Sequence, residues 1–397
     1  MATWPPVVLS AKEEENEQAI TAPGSGKPDG ARHAGAGLCT GVTPTTPTTP
    51  TTPTTPTTPT TPTTPTQPAA KVYKYVWQDI SPSGAAIYIV LQQLVDRVRV
   101  ASGGRLDITL YPEGAITPRD ESTPAIRDGG IDIASNAAAM DLNRLGPVMY
   151  LMGGSGLPAG PSTADLIAWV RQGGGLEVMR DVYKDWGFIL GADPGAPEVF
   201  GYAKKPLTKA SDFKGLKYRT LGLWGEIVAD YGASVVQIPG GELYQAVERG
   251  VIDAFELGPP SYNWPLGFQE ILDYMGVPGI QSPGYFNVIM INHKSWNALP
   301  ADLQALLEDE IQAMEYYGQL QTKKADAEAM AKYKAYGTKI FVVEDAFQQD
   351  IAARSKAKME KYAAADTQFN RVFVHQTEFF RTWHALAGIE PAYTIFD

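Results

Sequence analysis

Cysteine and histidine are scarce in this sequence. Cys39 is the only cysteine, and the four histidines, His33, His293, His375 and His384, fall in no metal-ligand spacing such as H-x-x-x-H. A single cysteine forms neither an internal disulfide nor a thiolate metal cluster. The residue types most often used for zinc binding therefore give no signal.

Long apolar runs are also absent. No stretch of 18 or more apolar residues occurs, so the sequence predicts no transmembrane helix. The first residues, MATWPPVVLSAKEEENEQ, have a short apolar run followed by four glutamates. This pattern is not typical of a secretory signal peptide, and no export signal is visible.

Catalytic and nucleotide-binding motifs are missing as well. Neither G-x-x-x-x-G-K-[ST] nor a G-x-G-x-x-G between a strand and a helix occurs. Residues 153–156 read GGSG, which lacks the G-x-S-x-G spacing of a nucleophile elbow. Nucleotide binding and serine-type hydrolysis therefore find no support.

The charge balance excludes another class of partner. The formal net charge is −11, from 44 acidic and 33 basic residues. An acidic surface argues against nucleic acid and anionic membranes as partners. It leaves room for a small anion bound in a local basic pocket.

The N-terminal part has the composition of an unfolded leader and spacer. Residues 1–42 are predicted to be a disordered leader, and residues 43–70 are a Thr/Pro-rich linker with a Thr-Thr-Pro repeat. Proline at every third position favours a polyproline II rod, which would reach about 75 Å. The linker would either separate a folded domain from the cell envelope or be a tail of no consequence.

From Lys71 onward, strand and helix patterns alternate, which predicts an α/β fold with largely parallel sheets. A long helix is predicted from Pro300 to about Tyr336, and residues 344–386 have a mostly helical pattern. These patterns indicate a two-lobe fold with a ligand cleft between the lobes and long C-terminal helices. The predicted boundaries are 71–195 with 283–320 for lobe I, 196–282 for lobe II, and 321–397 for C-terminal helices packing on the lobes.

Arg219 is the first candidate binding residue. It ends the strand in GLKYRT, and ligands of open α/β sheets bind beyond the carboxyl ends of the strands. An arginine there can hold a carboxylate through two parallel hydrogen bonds. The alternative is a surface arginine paired with a neighbouring acid.

Glu256 is the second candidate, since it ends the strand VIDAFE just before Leu257 and a Gly-Pro-Pro turn. A carboxylate beside a free backbone carbonyl suits a hard cation such as Ca²⁺ or Na⁺. Gln281 would add an amide oxygen and Glu198 a second carboxylate. The alternative is four unrelated polar residues at the ends of elements.

Aromatic residues cluster near these turns: Trp224, Tyr262, Trp264, Tyr285 and Phe286. They could line a pocket, although core packing and contacts between lobes are the commoner role. The pocket interpretation makes Trp224 a predicted substrate contact, together with Arg219, Glu198 and Glu256.

The segment GLKYRTLGLWGEIVADYGASVVQIPGGELYQAVERGVIDAFELGP resembles the central signature of the DctP-type solute-binding proteins of TRAP transporters. The resemblance runs from about residue 71 to about residue 385. It is strongest between Lys204 and the sequence NHKSWNALPADLQ. Within the family, the branch that binds 2-oxo acids or lactate with a cation is the most similar.

The resemblance implies roles for individual residues. Arg219 matches the arginine that binds the substrate carboxylate, and Glu256 and Leu257 match a metal-binding acid and the carbonyl that follows it. Gln281 matches a further metal ligand. Glu198 stands where relatives carry Gln, and a second carboxylate would favour Ca²⁺ over Na⁺. Relatives often have an aromatic residue at the position of Leu257, so the pocket wall of this chain departs from theirs there.

The resemblance implies a function without catalysis. We expect a periplasmic or envelope-bound receptor that closes on a pyruvate-like or lactate-like monocarboxylate and delivers it to TRAP permease subunits in the membrane. The C-terminal helices also suit a homodimer. Three alternatives remain open: a cation-independent relative that binds a dicarboxylate or sugar acid, a metal-dependent lyase for 2-oxo acids, and a tethered sensor or adhesin.

Overall fold

The computed structural model describes residues 71–386. The predicted leader (1–42) and Thr/Pro linker (43–70) lie outside the described residues, and so does the chain from 387 to 397. The predictions for those segments remain predictions.

Strands and helices alternate through the first two thirds of the described residues. The strands are β1 (Tyr73–Asp79), β2 (Leu106–Tyr111), β3 (Ile133–Asn136), β4 (Phe188–Pro194), β5 (Gly201–Ala203), β6 (Lys217–Arg219), β7 (Ser234–Val236), β8 (Ala254–Phe255), β9 (Tyr274–Val277), β10 (Phe286–Ile291) and β11 (Lys339–Val342). The helices are α1 (Ala86–Ala101), α2 (Ser122–Asp128), α3 (Leu142–Leu145), α4 (Thr163–Gln172), α5 (Gly175–Val182), α6 (Gly222–Asp230), α7 (Leu243–Glu248), α8 (Pro260–Asn263), α9 (His293–Ala298), α10 (Ala301–Tyr336), α11 (Asp345–Ala365) and α12 (Thr367–Trp383).

The strands form two separate sheets, one in each lobe. The first sheet has the order β2-β1-β3-β10-β4, and the second has the order β11-β9-β5-β8-β6-β7. The chain crosses from the first to the second between β4 and β5, and it returns between β9 and β10. The predicted two-lobe α/β architecture with long C-terminal helices is therefore confirmed.

The prediction of largely parallel sheets is only partly right. β10 runs antiparallel to β3 and β4, and β5 runs antiparallel to β8 and β9. Each of these two strands is the first one after the chain crosses from one sheet to the other. The crossover rule for parallel neighbours applies to strands joined within one sheet, so it does not fix the direction of a strand that enters from the other sheet.

The region after the long helix also differs from the sequence-based expectation. β11 falls between the two stretches predicted to be helical, 300–336 and 344–386, and it extends the second sheet by pairing in parallel with β9. Its four residues are too short for a clear alternating pattern, and Phe341 is the one strongly buried side chain. The strand follows Gly337, which ends α10 in a left-handed conformation at φ 96°.

The helix α10 connects the two lobes. Its N-terminal half buries Leu303, Leu307 and Ile311 against the first lobe, and near its C-terminus Tyr333 is buried in the second. With 36 residues, the helix is about 54 Å long. It therefore contributes to both hydrophobic cores.

The last helix, α12, packs on its own chain. Gln376 donates from Nε2 to the carbonyl of Leu151 at 2.9 Å, and Arg371 pairs with Asp181 at 2.6 Å. No helix among residues 71–386 combines the length and apolarity needed to cross a bilayer.

Candidate ligand and cation site

Two neighbouring parallel strands bring the main candidates together. β6 ends at Arg219, which lies opposite Phe255 of β8, and Glu256 follows immediately. Since β6 and β8 run in parallel, their carboxyl ends meet at one edge of the second sheet. This is where ligands bind in open α/β sheets.

Backbone groups fix the orientation of Arg219. Its Nη1 donates to the carbonyl of Glu256 at 2.7 Å, and its Nε donates to the carbonyl of Ile238 at 3.0 Å. The Glu256 carboxylate accepts from the backbone N–H of Leu221 at 3.2 Å. The guanidinium is only 2% exposed and Glu256 only 7%, so both charges lie in a weakly solvated environment.

Glu198 adds a second buried carboxyl group to this edge. Burial raises the pKa of Glu198 well above its ordinary value, and the neighbouring carboxylate of Glu256 raises it further, while Arg219 opposes both. The Oε2 atom is buried and makes no hydrogen bond to the described residues. Two buried carboxyl groups side by side require a proton or a cation between them.

A close backbone approach positions Glu198. The backbone N–H of Glu198 donates to the carbonyl of Ser282 at 3.2 Å. A Cβ atom at Gly279 would lie 1.8 Å from the carbonyl oxygen of Glu198, which no side chain tolerates. Glycine at position 279 is therefore required to bring these two segments together.

Gln281 and Leu257 offer neutral oxygens in the same region. Gln281 donates from Nε2 to the carbonyl of Val199 at 2.8 Å, and its Oε1 is buried without a partner among the described residues. The carbonyls of Leu257 and Gly258 accept from Nδ2 of the fully buried Asn263. Asn263 therefore fixes the direction of both carbonyls.

The available ligand atoms fit a hard cation. Glu198 and Glu256 provide carboxylates, and Gln281 and Leu257 provide neutral oxygens, which are the ligands preferred by Ca²⁺ and Na⁺. No three His, Cys, Asp or Glu side chains converge anywhere between residues 71 and 386. The two unpartnered oxygens, Glu198 Oε2 and Gln281 Oε1, are the feature that an ion would satisfy.

A cavity of about 80 Å³ opens beside this group, between the two lobes. It is lined by Ile80, Ser81, Arg119, Ala137, Ala139, Met140, Ser155, Gly156, Glu198, Arg219, Leu221, Glu256, Leu257, Gly258, Tyr262, Tyr285 and Asn287. One water needs about 10–15 Å³ of such space, so the cavity holds roughly five to eight groups of that size. The space suits a short organic acid.

Only some of the predicted site residues line the cavity. Arg219, Glu198, Glu256 and Leu257 line the cavity, whereas Gln281 is fully buried and is not part of its lining. Trp224 lies elsewhere, so its predicted role as a substrate contact is corrected.

Trp224 belongs to the core of the second lobe. It is fully buried, and its ring packs against Phe200 and Phe213 at centroid distances of 5.6 and 5.8 Å. Its Nε1 donates to the hydroxyl of Tyr218 at 3.4 Å. Trp224 lies near the start of α6, close to the site in sequence. Its side chain points into the core because it belongs to the buried, apolar face of that helix.

Several cavity residues gave no clear signal in the sequence. Asn287 is a polar residue inside an apolar strand, and a sequence pattern does not reveal which oxygen it holds. The same is true of Asn263, which lies outside the cavity lining. Ser155 and Gly156 belong to the GGSG segment, which we considered only as a nucleophile motif. Tyr262 was one of five clustered aromatic residues, and the sequence does not show which of them line the pocket and which belong to the core.

Comparison with known proteins identifies the family of the chain. The profile of the family described as bacterial extracellular solute-binding protein, family 7 (DctP), matches residues 77–366. The chain is similar to a monocarboxylate 2-oxoacid-binding periplasmic protein of Nostoc sp. (strain PCC 7120). The two are 27% identical over 298 residues, which cover 74% of this chain and 80% of that protein.

Two solved structures are similar in fold and sequence. A TRAP periplasmic solute-binding protein from Colwellia psychrerythraea, with bound calcium and pyruvate, is 26% identical with a TM-score of 0.71. One from Pseudoalteromonas atlantica, with bound sodium and pyruvate, is 25% identical with a TM-score of 0.72. Each alignment covers 80% of this chain and 97% of the other. The resemblance found in the sequence is thereby confirmed, and the chain belongs to family 7 of the bacterial extracellular solute-binding proteins, which serve TRAP transporters.

Proposed function

We propose that this receptor binds a short 2-oxo or 2-hydroxy monocarboxylate, such as pyruvate or lactate, together with a Ca²⁺ or Na⁺ ion. The observation that carries the proposal is the pair of unpartnered oxygens, Glu198 Oε2 and Gln281 Oε1, beside the oriented guanidinium of Arg219. Arg219 and Glu198 line a small cavity, and Gln281 is buried outside its lining.

Arg219 is the proposed carboxylate-binding group. Two of its donor positions are used by backbone carbonyls, while Nη2 makes no hydrogen bond to the described residues. Because the backbone already fixes the plane of the guanidinium, little side-chain entropy is lost when a carboxylate accepts from it. Burial strengthens the interaction by lowering the local dielectric constant.

Glu198, Glu256, Gln281 and the carbonyl of Leu257 are the proposed cation ligands. A bound cation would neutralise the acid pair and attract the carboxylate and the 2-oxygen of the ligand. Two carboxylates balance the charge of Ca²⁺, whereas Na⁺ balances one carboxylate and leaves Glu198 its proton. The related receptors with calcium and with sodium support either ion.

The proposed role is delivery, with no bond made or broken. Lobe I (71–195 and 283–320) and lobe II (196–282) would close on the ligand outside the cytoplasm and present it to TRAP permease subunits. A homodimer through the C-terminal helices (321–397) remains a further prediction. Attachment to the cell envelope through residues 43–70 also remains a prediction.

Calorimetry of the purified protein with pyruvate and lactate tests the proposal. Binding should require Ca²⁺ or Na⁺ and disappear when both ions are removed. Binding of a dicarboxylate or sugar acid that survives removal of the ions would favour a cation-independent receptor instead. Consumption of the bound 2-oxo acid would favour a lyase.

A further inference from the structure

A second guanidinium lines the same cavity from the opposite lobe. Arg119 lies after β2 in the first lobe, whereas Arg219 belongs to β6 of the second, and both line the cavity. Tyr262 lies near both: burial raises the pKa of its hydroxyl, Arg119 is the main charge that opposes the increase, and Arg219 also lowers it. The cavity thus has a guanidinium on each of two sides.

Arg119 has unused hydrogen-bonding capacity. None of its five N–H groups donates a hydrogen bond within residues 71–386, and its Nε is buried without a partner. Its one ion pair, from Nη1 to Glu113, is long at 3.7 Å, and both side chains are about one third exposed. An exposed pair at this distance contributes little to stability, so a structural role does not explain the buried donor.

The ligand has acceptor capacity to match. A carboxylate offers about four lone-pair sites, and a single guanidinium fills two of them. Because Arg219 is fixed to the second lobe, a donor from the first lobe would join the two halves through the ligand itself.

We propose that Arg119 is the first-lobe residue that binds the ligand carboxylate, so that the acid is held between one guanidinium from each lobe. The inference rests on the proposed function and adds the group that couples binding to closure. It also defines the substrate class more narrowly, since the ligand must present an ionised carboxylate to both walls. The corresponding amides, pyruvamide and lactamide, should be rejected.

The competing explanation is a surface ion pair between Arg119 and Glu113 with no part in binding. Glu113→Ala provides the matched control, because it removes the same pair and leaves the guanidinium in place. If the pair is only structural, Arg119→Ala and Glu113→Ala have the same small effect. If Arg119 binds the ligand, only the arginine variants lose affinity.

The experiment is calorimetric titration of the full chain with pyruvate at saturating Ca²⁺. Arg119→Ala should bind about ten- to a hundredfold more weakly than wild type, as expected for loss of a charge-assisted contact. Arg119→Lys should recover part of the loss, and Glu113→Ala should stay within about twofold of wild type. Binding of Ca²⁺ alone should be unchanged in all three variants.

A second measurement separates closure from affinity. Small-angle scattering should show that saturating pyruvate makes the wild type more compact, and that Arg119→Ala closes less even when saturated. Unfolding midpoints close to wild type would show that the variants are folded.

Two results overturn the inference in distinguishable ways. If Arg119→Ala binds pyruvate within about twofold of wild type while Arg219→Ala does not bind, Arg119 has no role and the proposed function stands. If the wild type binds neither pyruvate nor lactate with Ca²⁺ or Na⁺, the proposed function fails first.

Discussion

Arg219 and Glu256 are joined through the backbone more closely than through their charges. Nη1 of Arg219 lies 2.7 Å from the carbonyl oxygen of Glu256 but 3.5 Å from its carboxylate Oε1. The guanidinium is therefore oriented by a neutral acceptor, and the carboxylate is only partly neutralised. Each charge keeps capacity for a further partner, which the proposed ligand and cation would supply.

Replacing Arg219 by alanine should abolish binding of pyruvate. Loss of a buried, charge-assisted partner costs about 2–5 kcal/mol, which corresponds to a decrease in affinity of roughly thirtyfold or more. Calorimetry at saturating Ca²⁺ measures the affinity for pyruvate. Arg97→Ala is a suitable control, since Arg97 pairs with Glu310 and its side chain is 66% exposed. Wild-type affinity in Arg219→Ala would place the site elsewhere.

Glu198→Gln should change the preference between cations. The amide keeps a neutral oxygen but removes one negative charge, so Ca²⁺ affinity should fall by about tenfold or more while Na⁺ affinity changes little. Titration of each ion in the presence of pyruvate checks this. As a control, Glu242→Gln at an exposed position should change the affinity for neither ion. An equal loss of Ca²⁺ and Na⁺ affinity in Glu198→Gln would contradict the assignment of Glu198.

Trp224→Phe should lower stability without lowering affinity. The substitution leaves space beside Phe200 and Phe213 and removes the hydrogen bond to Tyr218, at a cost of about 1–3 kcal/mol. Urea unfolding gives the stability, and titration with pyruvate well below the unfolding transition gives the affinity. A large loss of affinity in a folded variant would restore Trp224 as a ligand contact.

The buried Asp141 should make stability depend on pH. Burial raises the pKa of Asp141 to about 6, while hydrogen bonding to Thr123 and the charge of Arg144 oppose the increase. Between about pH 4 and the folded-state value, the unfolded chain releases this proton while the folded protein retains it. Stability therefore falls as the pH rises through this range and levels off above it.

Asp141→Asn should remove this loss. The stability of the variant relative to wild type should increase by on the order of 2–3 kcal/mol between pH 4 and pH 7.5. Urea unfolding at both pH values measures the difference, and the exposed Asp185, changed to Asn, is the control. A difference that stays constant with pH would show that Asp141 is ionised in the folded protein throughout.

Sequence patterns were sufficient to predict the two lobes and the candidate site residues at the ends of strands. Arg219 ends one short strand and Glu256 directly follows another, and the rule for parallel sheets places such residues at one edge. The alternation of strands and helices likewise predicted the α/β lobes. These are local signals, and short segments of sequence carry them.

The remaining features depend on contacts between distant segments. The antiparallel direction of β5 and β10 follows from where the chain crosses between sheets, which no local pattern records. Trp224 could not be separated from the pocket aromatics, because burial on α6 depends on Phe200 and Phe213 from other segments. Arg119 gave no signal, since its proximity to the cleft arises only when the first lobe meets the second.

The helix α10 has a consequence for how the protein denatures. Its residues Leu307 and Ile311 are buried in one lobe and Tyr333 in the other, so melting of the helix removes apolar contacts from both lobes at once. The two halves should therefore lose structure in one cooperative step. Differential scanning calorimetry should give a single peak whose van't Hoff and calorimetric enthalpies agree, even though ligand capture moves the halves relative to one another.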